Sequence, residues 1–135
     1  MTTDNNRRVP IDSSGDIVSA RQKGRVLAEQ LGFSGSELTL IATAISEVAR
    51  NIVEYAGSGE ILLIPIVQGN RRGIKIIAQD EGPGIPDIEH ALQDGYSTSS
   101  GLGLGLPGAK RLMDDLQIVS GLGQGTKVTM IKWKH

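Results

Sequence analysis

The sequence predicts an α+β fold: a two-layer α/β sandwich in which a mixed or antiparallel β-sheet is covered on one face by helices. Three observations lead there. Two apolar runs, Glu60 to Val67 and Gly73 to Asp80, flank a Gly69-Asn70 turn, the pattern of a β-hairpin. Leu38, Ile41, Ile45, Val48 and Ile52 recur by threes and fours, the stripe of a helix that buries one face. A second strand pair, Gln117 to Ser120 and Thr126 to Trp133, follows a further helical stretch. Strand pairs alternating with helices put the helices on one side of one sheet. At 135 residues the chain, 1–135, is read as a single domain with a polar leader over residues 1–8.

Val9-Pro-Ile11 is short and apolar, and its proline suits an edge strand. A helix is predicted from Asp16 to Leu31, where Ile17, Ala20, Gly24, Leu27 and Leu31 keep roughly helical spacing. Ser13, Ser14 and Asp16 are candidate caps, and Gly32 is the stop. Gly24 sits mid-helix at a cost of about 1 kcal/mol against alanine, which implies close packing there. The second helix is expected to start at Ser36, with an imperfect capping box because Thr39 stands three residues on. Gly57 and Gly59 end it. Its other face carries Thr39, Thr43, Glu47, Arg50, Asn51 and Glu54 and is expected to lie away from the apolar stripe. Beyond the hairpin, Pro83 and Pro86 interrupt regular structure. Asp87 to Asp94 is a candidate short helix, and Gly95 to Ser100 a mobile loop. A helix is predicted from about Pro107 to Asp115, with Pro107 in the first turn, where its missing N–H costs nothing.

Composition excludes several classes. Fourteen basic and 15 acidic residues leave a net charge near −1, with no block of one sign, so nucleic acid and anionic membrane get no electrostatic support. Phe, Trp and Tyr total four, too few for base-stacking platforms. The absence of cysteine removes disulfides, thiolate metal sites and thiol catalysis, and fits a cytoplasmic protein. No apolar run approaches the ~20 residues of a membrane span. Ten of the 18 glycines lie between Gly82 and Gly125, so the excess is local.

Three stretches carry chemistry. Asp80-Glu-Gly-Pro-Gly84 follows a strand whose alternation puts Asp80 on the face of Ile74, Ile76 and Ala78. If that is the core face, an inward carboxylate needs a donor, and a ligand amine would serve; a plain turn is the alternative. Glu47 and Asn51 are four apart on one helix face. Asn51 offers a neutral carbonyl oxygen suited to Mg2+, and Glu47 a carboxylate within reach of a hydroxyl near a phosphate; a solvated helix face is the alternative. Gly101, Gly103 and Gly105 precede a helix start, where bare backbone N–H groups can approach an anion. Neither the dinucleotide fingerprint nor the Walker A spacing is present, and a hinge is the alternative.

In order, Glu47-x-x-x-Asn51, Asp80-x-Gly82-x-Gly84, Gly101-x-Gly103-x-Gly105 and Gly123-x-Gly125-Thr126 resemble the four boxes of the GHKL (Bergerat-fold) ATP-binding family of gyrase, Hsp90, histidine kinases and MutL. The resemblance spans residues ~36–135. Ala44-Ile-Ser-Glu-Val-Ala-Arg-Asn51, Gln79-Asp-Glu-Gly-Pro-Gly-Ile-Pro-Asp87 and Gly105-Leu-Pro-Gly-Ala-Lys-Arg-Leu-Met-Asp114 are similar to the small serine/threonine kinases of bacterial partner-switching modules. Asp16 to Arg25 and Ile131-Lys-Trp133 resemble the RsbT-like stressosome branch. The resemblance implies ATP and Mg2+ as cofactors. Asp80 would accept from the adenine amine, and Gly82, Gly84 and Ile85 would line its pocket with Thr126 nearby. Asn51 would hold the metal, and Glu47 would act as general base. Gly101, Leu102, Gly103, Leu104 and Gly105 would wrap the phosphates, with residues 85–100 as the ATP lid. Arg50 would pair with Glu47 or Glu54, or reach a phosphate. The implied partners are STAS-domain substrates (RsbS/RsbR-like) and a downstream effector. An anti-sigma factor with serine kinase activity is the alternative.

Overall fold

A computed structural model describes residues 7–82, 105–121 and 125–134. The elements run β1 (Arg7–Ile11), α1 (Ser14–Gln30), α2 (Gly35–Asn51), a π-turn (Ile52–Ala56), β2 (Gly59–Gln68), β3 (Arg71–Asp80), α3 (Gly105–Leu112), β4 (Asp115–Gly121) and β5 (Gly125–Trp133). The strands form one five-stranded sheet in the order β1-β2-β3-β5-β4. Every pairing is antiparallel, so of the two sheet types expected, the antiparallel one is realised and the mixed one is not. The physical reason is connectivity: β2–β3 and β4–β5 are hairpins, and no crossover brings two strands in side by side in one direction. The two-layer sandwich itself is as expected. The candidate helix Asp87 to Asp94 and the Gly95 to Ser100 loop lie outside the described residues.

Register decides which side of each strand is buried. Val9 and Ile11 of β1, Ile61 and Leu63 of β2, Ile74, Ile76 and Ala78 of β3, and Val128 and Met130 of β5 form one apolar cluster with the helices. Pro10 lies on the edge strand with its side chain exposed, where its missing donor is harmless. The helix starts differ slightly from expectation. The α1 cap is Ser13, and Asp16 reaches back to accept from the backbone N–H of Asp12 (2.8 Å) and Ser13 (3.2 Å). The α2 cap is Ser34 rather than Ser36, with the Glu37 carboxylate accepting from its N–H at 3.3 Å. The box is therefore complete, and it stands two residues earlier than predicted. Gly32 closes α1 at φ 95°, as a stop residue should.

Two features hold the layers in register. A Cβ built on Gly24 would stand 2.1 Å from Ile45 Cδ1, so α1 and α2 touch through the missing side chain. On the outer face of the sheet, Arg8 of β1 and Gln79 of β3 both donate to the Glu60 carboxylate of β2, tying three strands together. The Gln79 bond and then the Arg8 bond hold Glu60 below the ordinary carboxylate range, against a smaller opposing effect of burial.

Gly24→Ala is expected to cost about 1–3 kcal/mol by overpacking, more than the ~1 kcal/mol that helix propensity returns. Adding Ile45→Val removes the opposing methyl and should recover part of that loss, a favourable coupling of about 0.5 kcal/mol or more in a urea double-mutant cycle. Because folding lowers the Glu60 value, its contribution is present at neutral pH and is lost as pH falls through and below the usual carboxylate range. Urea midpoints of Glu60→Gln followed across that range should therefore decline less steeply with acid than those of the parent.

Candidate nucleotide site

The site lies where the end of α2 meets the ends of β3 and β5. From Ala44 to Ala49 every residue of α2 is buried. This corrects one expectation: Glu47 is not on an open face but 3 % exposed. The sheet covers one side of α2, and α3 packs over another with Leu106 (4 % exposed) and Ala109 (0 %). A carboxylate so placed needs a partner. Arg50, one turn on, donates from Nη1 to Glu47 Oε2 at 2.8 Å, so of the roles open to Arg50 the helix pair with Glu47 is the one realised.

Beyond Asn51 the helix does not simply stop. Gly57 N–H donates to Ile52 C=O at 2.9 Å, a five-residue step, and Gly57 takes φ 85°. The widened turn sits directly after Asn51, which is half-buried, and carries Tyr55 to the same opening. Such π-turns often accompany functional sites.

Asp80 occupies the last position of β3, opposite Gly59 on one side and Thr126 on the other. Ile74, Ile76 and Ala78 on its face are all buried, so Asp80 does point inward, to the helix side of the sheet. It also makes the turn that was the alternative reading: Oδ1 accepts from the Gly82 N–H at 2.9 Å. The two readings are compatible, because among the described residues the turn engages Oδ1 alone, and a donor that enters from outside would take Oδ2. Thr126 is fixed from β4. Ser120 Oγ donates to Gly125 C=O at 3.1 Å, and its 2.9 Å contact with Thr126 Oγ1 then has Thr126 as donor. Gly125, at φ 82°, is required here: a Cβ would come within 2.0 Å of the Asp80 carbonyl oxygen.

Between helix and sheet these residues leave a narrow slot. Val48, Asn51, Ile52 and Tyr55 form one wall, Ala78, Asp80, Thr126 and Val128 the other, and Leu106 of α3 closes an end. The slot is narrow, about 20 Å³, so what suits a flat ring that carries an amine is the chemistry of its lining, apolar walls with a carboxylate at the base, and not its width. The structure thus brings Asn51, Asp80 and Thr126 together, with Gly82 bonded to Asp80 and Gly105 opening α3. Glu47 is not part of the slot lining; it lies one turn before Asn51. Gly84, Ile85, Gly101, Leu102, Gly103 and Leu104 lie outside the described residues. Tyr55, Leu106, Val48, Val128 and Ser120 were missed by sequence reasoning. Strand alternation would have put Ser120 and Val128 on the inner face, but nothing local marks Tyr55 or Leu106. Among the described residues no group of three or more His, Cys, Asp or Glu side chains could hold a metal ion, and no helix is long and apolar enough to cross a membrane.

Residues 13–132 match the histidine kinase-like ATPase domain family. The chain is 53 % identical to serine/threonine-protein kinase RsbT of Bacillus subtilis, over 93 % of this chain and 94 % of that protein. It is 35 % identical to an anti-sigma F factor of Thermoanaerobacter sp., over 84 % of this chain and 82 % of the relative. In fold it is similar to a crystal structure of the RsbU and RsbW domains of a Mycobacterium tuberculosis protein, with a TM-score of 0.66 at 17 % identity, covering 96 % of this chain and 33 % of that one. The mycobacterial sensor histidine kinase MprB matches with a TM-score of 0.57 at 19 % identity, over 92 % of this chain and 95 % of that one. The antiparallel sheet, its single layer of helices and a narrow slot at the end of β3 are thus accounted for together: the chain belongs to the histidine kinase-like ATPase domain family, in the group that contains RsbT and the anti-sigma F factors.

Proposed function

We propose that this protein is an ATP-dependent protein serine/threonine kinase of a cytoplasmic partner-switching module of the stressosome type. Its substrate would be a serine on a STAS-domain antagonist, RsbS/RsbR-like. Once released, the kinase would bind and activate a downstream effector. The observation that carries the reading is the slot with Asp80 at its base, in a chain 53 % identical to a protein named as a serine/threonine kinase.

The residues divide the work by chemistry. Asp80 Oδ2 accepts from the exocyclic amine of adenine, while Gly82 holds Oδ1 and so fixes the direction of the carboxylate. Val48, Ile52 and Val128 supply the apolar walls. The Asn51 carbonyl is the protein's ligand to Mg2+, which when bound neutralises charge on the phosphates. Gly105 and the stretch 101–104 offer backbone N–H groups to the phosphates at the start of α3. Gly84 and Ile85 complete the adenine pocket, with 85–100 as the lid. Glu47 takes the proton of the substrate hydroxyl as its oxygen bonds to the γ-phosphorus and the bond to the β-phosphate oxygen breaks, leaving ADP. Arg50 keeps that buried carboxylate paired until the hydroxyl arrives. The product phosphoserine carries about −2 charge and so loosens the complex, which frees the kinase. The 35 % identity to an anti-sigma F factor favours one further reading, a kinase that sequesters a sigma factor; a pull-down against sigma factors from the same genome separates the two.

For Asp80→Asn, isothermal calorimetry should show ATP affinity reduced about 10- to 100-fold, the worth of one hydrogen bond to a charged group, with the melting temperature of the free protein unchanged. Retained affinity would remove Asp80 from adenine recognition. For Glu47→Gln, labelled-ATP transfer to a STAS protein should fall by about 10²- to 10⁴-fold while ATP binding persists. Undiminished transfer would take Glu47 out of the reaction.

A further inference from the structure

The sheet has a second face, and no described element packs on it. Leu62, Ile64 and Ile66 of β2, Ile77 of β3, and Ile131 and Trp133 of β5 all have the strand parity opposite to the buried set. They are half-buried by one another and belong to neither the core cluster nor the residues packed against it. Register makes them contiguous: Leu62 is level with Ile77, Ile64 with Lys75 and Ile131, and Ile66 with Gly73 and Trp133. A contiguous apolar strip rimmed by polar residues and left open by the described elements is the kind of surface that takes a partner.

Charge says what kind of partner fits. Lys75 stands level with Ile64 and Ile131, Lys127 lies toward the Asp80 end, and Arg71 lies at the other end with its guanidinium 4.3 Å above the Trp133 ring. Among the described residues no carboxylate pairs with any of the three. Glu60 on the same face is already engaged by Arg8 and Gln79, and Asp115 is confined to the outermost strand. An otherwise near-neutral chain thus shows an apolar strip with basic groups along it and at both ends. Tryptophan and arginine together are the residue types that dominate binding hot spots.

The other side of this sheet shows what a pleated apolar surface accepts, since α1 and α2 lie on it. Three side chains at alternate positions along β2, with neighbours on β3 and β5, match the i, i+3, i+4, i+7 stripe of a helix. We propose that the outer face docks an amphipathic helix of a partner protein whose apolar stripe is edged by carboxylates. The sheet then becomes the middle layer of three. A second copy of this chain is a poorer occupant through its exposed helix, because α1 presents Arg21, Lys23 and Arg25 outward. This inference does not rest on the kinase reading, since no residue of the slot takes part.

Trp133 is the only tryptophan, so its emission reports this face alone. The probe is a synthetic helical peptide of about five turns with leucines on one face and glutamates on its flanks. Titration should shift Trp133 emission to the blue and saturate. The same peptide with lysine for every glutamate should bind at least about tenfold more weakly. The double variant Lys75→Glu, Lys127→Glu should reverse that preference while keeping the parent's far-ultraviolet circular dichroism and ATP affinity. No emission change with the glutamate peptide, or equal binding of both peptides, overturns the proposal. So does a dimer in sedimentation that already buries Trp133 without peptide, which would assign the face to a second copy.

Discussion

The fold turns on a charge that has nowhere to go. Glu47 sits in a stretch of α2 closed off by neighbours, and water cannot solvate it there. A second charge on the same helix, three residues on, answers it: Arg50 gives it at 2.8 Å. That pairing lets α2 be covered by the sheet on one side and by α3 on another. The rotation of the helix is set by its apolar stripe, Leu38, Ile41, Ile45, Val48 and Ile52, all buried in the core. With the rotation fixed, Asn51 must come out at the end of β3, and the slot follows from that. A helix with an apolar residue at 47 would pack as well or better, so packing alone does not account for the buried pair.

Much of the architecture was legible because two periods are hard to confuse. The helical stripe from Leu38 to Ile52 and the hairpin around Gly69-Asn70 each dictate one element, and both were found with ends shifted by a residue or two. Gly24 was readable as a close contact, and Ile45 is the atom it makes room for. The helix start at Ser34 was misplaced because several serines compete, and only the reach of Glu37 decides among them. Glu47 was legible as a residue type at a spacing, but not as buried. Periodicity describes what one partner layer does to a helix, and here the second cover comes from α3, more than fifty residues away in sequence. The π-turn after Asn51 has no sequence signature, since it is one extra residue in a bend. Asp80 was read as turn or as inward carboxylate, and it is both: it stands on the face of buried Ile74, Ile76 and Ala78, and its Oδ1 accepts from the Gly82 N–H.

The two faces of the sheet carry opposite chemistry on the same strands. On β3, Ala78 and Asp80 face the slot, while Ile77 and Gln79 face outward. A single-residue slip in β3 would exchange them, so the register that completes the slot is the register that aligns the outer apolar strip. Glu60, held by Arg8 and Gln79, guards that register from the outside, across three strands at the level of the slot.

β5 is the last strand in the order of the chain, yet it lies inside the sheet, between β3 and β4. It brings Thr126 alongside Asp80, and Gly125 lets the two backbones close. A chain leaving the ribosome N-terminus first, at about 5–20 residues per second, therefore exposes β3 as an open edge until β5 arrives. During that interval the slot lacks the wall that Thr126 and Val128 form. The second wall of the slot and the cover for the edge of β3 are acquired in one step, when β5 inserts.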